Sequence, residues 1–345
     1  MRKTAVVICP GRGTYTKTEL GYLAKHRPAV TPFLERLDSR LAALGEPTVS
    51  ALDGAASFSL KTHTPGEYAS TLIYACSAAD FAAINRDNID IVAITGNSMG
   101  WYTTLALGGA LDEAGSFSLI HGMGSMMRGG IIGGQLIYPV VDDEWRPSEE
   151  RANIVAKALA EVQQTPGCEA YPSIRFGGYA IIGGNDAALQ RLMKLLPTAD
   201  DGRYPFILVN HAAFHTPMLA EISERAFAKF GVDLFHAPNI PLIDGRGAIW
   251  QPYSTDPASL REYTLGHQVH ATYDFSKAVS VALKEFAPDH LILLGPGATS
   301  GGAIGQILIE NKWLGLGQKA DFSARQAQDP FLLAMGRPEQ AAVLR

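Results

Sequence analysis

Short apolar runs that end at glycine or proline recur along the chain, and a longer helical stretch follows most of them. This alternation of short apolar runs and helical stretches is typical of buried strands joined by crossover helices in a mainly parallel sheet. Residues 68–84 are Ala-rich and apolar on nearly every side, so they predict a helix buried between other elements. The same reading predicts strands at residues 5–9, 89–95, 240–243 and 291–294, and helices at 101–107, 112–128, 218–230 and 276–286.

The pattern changes between residues 131 and 210. Here the apolar and amphipathic segments predict strand, helix, strand, strand, helix and strand at residues 135–141, 149–164, 169–175, 179–182, 186–196 and 206–209. That order is the one found in ferredoxin-like folds. We therefore predict an α/β protein in which residues 131–210 form a ferredoxin-like subdomain inserted into a larger unit, residues 1–130 and 211–312. Residues 313–345 show no clear period and are treated as a C-terminal tail.

Composition narrows the class of protein. The 345 residues include 29 Lys+Arg and 34 Asp+Glu, which gives a net charge of −5 with no long run of either sign. A protein that binds nucleic-acid phosphates normally carries a basic excess, so we do not expect a nucleic-acid partner. Hydrophobic residues make up 47% and charged residues 18%, so the chain has a large core to bury and is not disordered.

Three cysteines with no paired spacing support neither a disulfide framework nor a zinc site. No run reaches the roughly 20 apolar residues that a membrane span needs, so we expect no membrane partner. Together these features predict a protein of the reducing cytoplasm.

The segment Gly96-Asn97-Ser98-Met99-Gly100 has the pattern G-x-S-x-G between a predicted strand and a predicted helix. This context is that of a nucleophile elbow, a tight turn in which glycines two residues to either side let strand and helix approach. Ser98 is therefore the candidate nucleophile. The helix behind it directs the amide of Met99 at the site, where it can stabilise an oxyanion.

A serine nucleophile needs a base, and the chain has nine histidines. His211 and His215 directly follow a predicted strand, where α/β enzymes place functional residues. His215 also starts a helix with proline in its first turn. The residues alone leave both histidines open as the base, with His215 slightly favoured, and His267 and His270 in a predicted polar loop are further candidates.

Four ordered motifs resemble those of the malonyl-CoA:acyl-carrier-protein transacylases and the acyltransferase domains of polyketide and fatty-acid synthases. The resemblance covers the chain from Val6 to about Ile309. Cys9-Pro10-Gly11-Arg12-Gly13 is similar to F-P-G-Q-G, Gly96–Gly100 to G-H-S-x-G, residues 213–218 to A-F-H-S-P-L-M, and Leu294-Gly295-Pro296-Gly297 to E-x-G-P-G. The third of these motifs selects His215 over His211.

The resemblance implies an α/β-hydrolase-like core and a ping-pong acyl transfer with Ser98 and His215 as catalytic residues. Ser98 would take the acyl group from acyl-CoA and pass it to the phosphopantetheine thiol of an acyl carrier protein or carrier domain, without cofactor or metal. The backbone amides of Arg12 and Met99 correspond to the oxyanion hole. Asp274 corresponds loosely to the position that orients the histidine, through its carbonyl or, as a hypothesis, through its carboxylate.

The sequence departs from the malonyl-specific pattern at the carboxylate-binding arginine, whose place is taken by Met123. Arg128, five residues on, lies on a different face of the predicted helix and cannot substitute for it. A malonyl carboxylate without a partner in a desolvated pocket costs several kcal/mol. This position therefore favours an uncharged acyl group.

Five further positions bear on substrate binding. Arg12 stands in place of glutamine, so its side chain either supplies the missing charge or points away from the acyl group. Asn97 and Trp101 replace histidine and glutamate beside the nucleophile, Glu67 stands at a glutamine position, and Phe214 is the malonyl-type choice before the histidine. The specificity evidence in the sequence is divided.

Two other functions remain open on the sequence. The same Ser/His pair would serve a thioesterase that strips acyl groups from carrier proteins, since water can replace the thiol. A non-catalytic subunit that docks a carrier protein is the third hypothesis, and the intact Ser98 and His215 weaken it.

Overall fold

The computed structural model describes residues 2–26 and 29–345, which fold around two β-sheets. In this part of the chain the strands are β1 (Lys3–Cys9), β2 (Ile89–Gly96), β3 (Gly134–Pro139), β4 (Ala170–Phe176), β5 (Tyr179–Gly184), β6 (Phe206–Ile207), β7 (Leu242–Ile243), β8 (Ile249–Trp250), β9 (Tyr273–Asp274), β10 (His290–Leu293) and β11 (Leu332–Ala334).

The α-helices described are α1 (Thr31–Ala43), α2 (Val49–Asp53), α3 (Leu60–His63), α4 (Gly66–Ala83), α5 (Gly100–Leu107), α6 (Glu113–Gly124), α7 (Glu149–Gln163), α8 (Asp186–Leu195), α9 (Ala220–Lys229), α10 (Pro257–Glu262), α11 (Gln268–His270), α12 (Phe275–Phe286), α13 (Gly301–Glu310), α14 (Lys319–Gln328) and α15 (Pro338–Leu344). A π-helical segment, Tyr263–His267, joins α10 to α11.

The first sheet has the order β11-β10-β1-β2-β7-β8. Its strands pair in parallel except for β7 and β8, as the recurring strand-helix pattern predicted. Strands β1 and β10 have completely buried centres, which is why they read as short continuous apolar runs in the sequence. Helix α4 is buried along most of its length, as its Ala-rich composition predicted.

The second sheet has the order β6-β3-β5-β4-β9. Within the inserted segment all neighbouring strands are antiparallel, and the helices α7 and α8 occupy the two crossover positions. The chain order β3-α7-β4-β5-α8-β6 with this strand arrangement is the ferredoxin-like topology. The predicted fold class is thus confirmed, with element bounds within a few residues of those expected.

Two segments connect differently from the expectation. Strand β9 comes from the segment between the π-helical turn and α12, and it pairs in parallel with β4, so the larger unit also contributes to the second sheet. Residues 313–345, which showed no clear period and were treated as a tail, contribute to the core, because β11 extends the first sheet beside β10 and α15 packs against it. None of the helices among the described residues is both long and apolar enough to cross a bilayer.

Candidate active site

Ser98 lies at the turn between β2 and α5, where the parallel sheet of the core meets the second sheet. Its φ of +56° is in the left-handed region that non-glycine residues rarely adopt. A Cβ atom on Gly96 would collide with the carbonyl of Gly100, and one on Gly100 would collide with the carbonyl of Cys9. The glycines are therefore required by the close approach of strand and helix, and the predicted nucleophile elbow is present.

His215 is the partner of Ser98. The Oγ of Ser98 lies 2.7 Å from Nε2 of His215, and Nδ1 of His215 lies 2.6 Å from the carbonyl oxygen of Gln268. Since a carbonyl oxygen only accepts, Nδ1 carries the proton and Nε2 has the lone pair that accepts the serine hydroxyl. His215 also has a positive φ of +57°. Two strained residues thus face each other across one hydrogen bond.

Gln268 forms hydrogen bonds with His215, Tyr102 and Ser98, and the sequence predicted no role for it. Besides accepting from His215, it accepts from the hydroxyl of Tyr102 through Oε1, at 2.8 Å, and donates from Nε2 to the carbonyl of Ser98, at 3.2 Å. It follows the π-helical segment, a geometry that is frequent at functional sites. The group that orients the histidine is a backbone carbonyl. Because every residue has one, the sequence contained no signal for it.

The expectation that Asp274 orients the histidine is wrong. Its carboxylate accepts from the amide of Lys277 and caps α12, and it also lies 3.5 Å from Arg175. The acceptor at Nδ1 of His215 is the carbonyl of Gln268, six residues earlier in the chain. A Ser-His pair oriented by a backbone carbonyl replaces the hypothetical triad.

Burial keeps His215 neutral. The side chain is enclosed by protein, and this desolvation lowers its pKa to about 4, although the hydrogen bond to the carbonyl of Gln268 acts in the opposite direction. At neutral pH the imidazole is therefore unprotonated at Nε2. A neutral imidazole in contact with the serine hydroxyl is the form that a general base requires.

The amides of Arg12 and Met99 are available for an oxyanion. Both residues border the pocket that contains Ser98. Within residues 2–26 and 29–345, neither amide has a recorded hydrogen-bond acceptor, whereas the next amides of the elbow, those of Gly100 and Trp101, donate to carbonyls of the turn. Both N–H groups are therefore free to donate to an oxyanion, and the oxyanion hole stays a prediction.

A cavity of about 60 Å³ adjoins Ser98 and is here called the acyl pocket. It contains Met123 and Phe214, as predicted, and is otherwise mostly apolar. Its other side chains include Tyr102, Met126, Met127, Leu219, Ile222 and Val269. Such a pocket fits a small acyl group and excludes most water.

Arg12 borders the acyl pocket, the cavity that contains Asn97 and the outer groove that contains Glu67. Its Nη2 donates to the carbonyls of Thr64 and Asn210, at 2.9 and 3.2 Å, and its guanidinium lies 5.4 Å from the centre of the Phe214 ring. Its Nε and Nη1 have no protein acceptor, and no carboxylate of the described residues is within 4 Å of the group. Desolvation lowers the pKa of Arg12 to about 10, although the charge of Glu67 acts in the opposite direction, so the group stays charged at neutral pH.

The remaining predicted substrate contacts separate into two groups. Glu67 borders the groove outside the acyl pocket, 3.9 Å from Nε of Arg128, and Asn97 borders a second cavity that also reaches Ser98. The expected substrate contact by Trp101 is wrong, because its ring is fully buried and borders neither of the two cavities that reach Ser98. Its indole N–H donates to Thr264 at 3.0 Å.

No group of three or more His, Cys, Asp or Glu side chains in the described ranges has the arrangement of a metal site.

Comparison with solved structures identifies the fold. No protein-family model and no curated protein sequence matches the chain. Among solved structures, it is similar to the malonyl-CoA:acyl carrier protein transacylase of Xanthomonas oryzae pv. oryzae, with a TM-score of 0.75 at 20% identity over 100% of this chain and 98% of that chain. The transacylase of Synechocystis sp. PCC 6803 gives a TM-score of 0.74 at 16% identity, over 99% and 100% of the two chains.

A third similar structure is a malonyl-transacylase in complex with its type II polyketide synthase acyl-carrier protein, with a TM-score of 0.72 at 18% identity over 99% of this chain and 98% of that chain. The chain therefore has the fold of the malonyl-CoA:acyl carrier protein transacylases. The fold that the sequence motifs implied is confirmed.

Proposed function

We propose that this protein is an acyltransferase that moves an acyl group from coenzyme A to the phosphopantetheine thiol of an acyl carrier protein, through an acyl-Ser98 intermediate. The observation that carries the proposal is the 2.7 Å contact between Ser98 Oγ and the neutral Nε2 of His215, at a nucleophile elbow in the transacylase fold.

The first half-reaction loads the serine. His215 Nε2 takes the hydroxyl proton as Oγ attacks the thioester carbonyl, and the amides of Arg12 and Met99 stabilise the oxyanion. When the tetrahedral intermediate collapses, the C–S bond breaks and the coenzyme A thiolate takes the proton from His215. The acyl-serine and free coenzyme A remain.

The second half-reaction is the reverse with another thiol. The carrier thiol gives its proton to His215 and attacks the acyl-serine, and the serine oxygen takes the proton back as the C–O bond breaks. A thiol, with a pKa near 8.5, is far easier to deprotonate than water. Because His215 is oriented by a neutral carbonyl and lacks a carboxylate to stabilise its charged form, the site favours the thiol as acceptor over water.

The charge in the pocket supports an acyl group that itself carries a carboxylate. Arg12 borders the acyl pocket, and two of its nitrogens, Nε and Nη1, have no protein acceptor among the described residues. The charge of Glu67 offsets the desolvation of Arg12 only in part, because the pKa of Arg12 is still lowered, and a carboxylate on the acyl group would stabilise the cation further. We therefore propose a short dicarboxylic acyl group of the malonyl type, bound by Arg12 in place of the arginine that is absent at Met123.

The test is a transfer assay. The purified protein is incubated with malonyl-CoA or acetyl-CoA, with and without a phosphopantetheinylated carrier protein, and acyl-carrier and free acid are separated by mass spectrometry. We expect acyl-carrier as the main product, with malonyl preferred, and loss of the product in Ser98→Ala. Ser254→Ala makes the same change at an exposed serine and should leave transfer unchanged.

Other products would contradict the proposal in distinguishable ways. Free acid formed at equal rates with and without carrier protein would identify a thioesterase. Binding of the carrier protein without any turnover would favour the docking subunit.

A further inference from the structure

A second cavity, of about 210 Å³, also reaches Ser98 and is here called the side channel. Ser98, Arg12 and Phe214 border both the acyl pocket and the side channel. The side channel additionally contains His211 and residues of the second sheet, such as Phe176. The nucleophile therefore has two cavities beside it, of which one is small and apolar and the other is larger and runs between the two sheets.

A thioester at Ser98 needs both spaces. Its carbonyl carbon lies at Oγ, its acyl group extends to one side, and the pantetheine arm with the sulfur extends to another. The acyl pocket, at about 60 Å³, is too small for the arm, and the side channel is the larger cavity that reaches the same atom. If the proposed function is right, the arm lies in the side channel.

A chain of hydrogen bonds fixes the tautomer of His211 in this channel. Ser173 donates to the carbonyl of Phe214 at 2.7 Å, so its oxygen accepts from Nε2 of Gln135 at 2.6 Å. The other end of that amide, Oε1, lies 2.8 Å from Nδ1 of His211. Because Oε1 can only accept, Nδ1 carries the proton and Nε2 of His211 is an acceptor.

Nothing in the described parts of the chain uses that acceptor. No hydrogen bond to Nε2 of His211 is recorded, and the atom is not sealed within the protein. Burial, with a contribution from the charge of Arg12, lowers the pKa of His211 to about 3, so the ring is neutral at neutral pH. The side channel thus presents a neutral nitrogen acceptor close to the nucleophile, separate from the base His215.

We propose that Nε2 of His211 binds the pantetheine arm by accepting a hydrogen bond from its amide N–H nearest the sulfur. This inference rests on the proposed function. In the side channel the pantetheine arm offers amide N–H donors. The proton of the thiol is transferred to His215 in the proposed mechanism, so His211 is not needed as a base. His211, which the sequence presented as an alternative base, is then a substrate-binding residue that holds the sulfur end of the arm in place.

The test removes the donor and the acceptor in turn. Malonyl and acetyl thioesters of N-acetylcysteamine are compared with their S-(2-acetoxyethyl) analogues, in which an oxygen replaces the N–H, and kcat/KM for acylation of Ser98 is measured. For the wild type we expect the N–H compound to react about 3- to 10-fold faster, the usual range for one hydrogen bond. In His211→Phe this ratio should fall to about one.

Two further variants make the result specific. Gln135→Leu leaves the Nδ1–H of His211 without its acceptor, so the neutral ring remains but Nε2 is no longer fixed in the unprotonated form, and the ratio should fall toward one. His236→Phe makes the same substitution at an exposed histidine and should keep the wild-type ratio.

Equal reactivity of the two compounds with wild-type enzyme, or an unchanged ratio in His211→Phe, would overturn the role of His211 and leave the proposed function standing. Failure of every thioester to acylate Ser98 would overturn both.

Discussion

Replacing Arg12 with glutamine removes the positive charge from the acyl pocket but retains the main-chain amide that we assign to the oxyanion hole. The side chain is fixed through Nη2 by two carbonyl oxygens, and this leaves Nε and Nη1 for the substrate. The variant therefore separates recognition of the acyl group from stabilisation of the transition state, which share one residue in this protein.

The expected magnitude follows from those two nitrogens. A hydrogen bond to a charged group contributes about 1.5–3 kcal/mol, which corresponds to roughly 10- to 150-fold in kcat/KM. For malonyl-CoA we expect Arg12→Gln to lower kcat/KM for acylation of Ser98 by this factor. Acetyl-CoA lacks the carboxylate, so its kcat/KM should change less than threefold, roughly the effect of half a kcal/mol.

The assay is release of coenzyme A in single-turnover mixing experiments with each thioester. Arg12→Lys keeps the charge and should retain part of the malonyl rate, although it loses the planar fork of donors. Arg225→Gln makes the same change at an exposed arginine of α9 and serves as the control. An equal loss for malonyl-CoA and acetyl-CoA in Arg12→Gln would refute the reasoning, because the side chain would then act on both substrates alike.

Three smaller predictions concern the base and its supports. Burial lowers the pKa of His215 to about 4, so the acylation rate should stay level from pH 7 to about pH 5 and fall only near pH 4; a limb near pH 6.5 would contradict this. Tyr102→Phe leaves Oε1 of Gln268 buried without its donor and should lower the free energy of unfolding, measured in urea, by about 1–3 kcal/mol. Asp274→Asn should leave single-turnover acylation within twofold of wild type, and a large loss would restore the carboxylate triad.

The nucleophile elbow could be predicted because its signal is local. Gly96, Ser98 and Gly100 lie within five residues, and the clash that Gly96 avoids is with Gly100 of the same turn, although the clash that Gly100 avoids is with the end of β1. The ferredoxin-like segment could be predicted for a similar reason, since the alternation of its strands and helices is visible within about 80 residues.

Features that depend on contacts between distant segments could not be predicted. The group that orients His215 is a backbone carbonyl at Gln268, and a carbonyl has no sequence signature. Trp101 lies close to Ser98 in the sequence, yet its indole is buried and donates to Thr264, a residue distant in the sequence. Strand β11 has only three residues, all of them buried, so it is too short to show a period in the sequence. Its place in the sheet comes from pairing with β10.

The charge beside the acyl pocket could be predicted only in part. The sequence revealed that Met123 stands where a carboxylate-binding arginine is expected, and this favoured an uncharged acyl group. It left open whether Arg12 points into the pocket. The fold brings Arg12, from the loop after β1, to the same cavity as Met123, from α6, so the expectation from Met123 alone gives way to our proposal of a carboxylated acyl group.

Intact-protein mass spectrometry after brief incubation with malonyl-CoA, followed by peptide mapping, tests the central claim most directly. We predict one added malonyl group on Ser98, its removal when a phosphopantetheinylated carrier protein is added, and no adduct in Ser98→Ala. Transfer of the acyl group to the carrier protein with no adduct on Ser98 at any time, and at an undiminished rate in Ser98→Ala, would contradict the account.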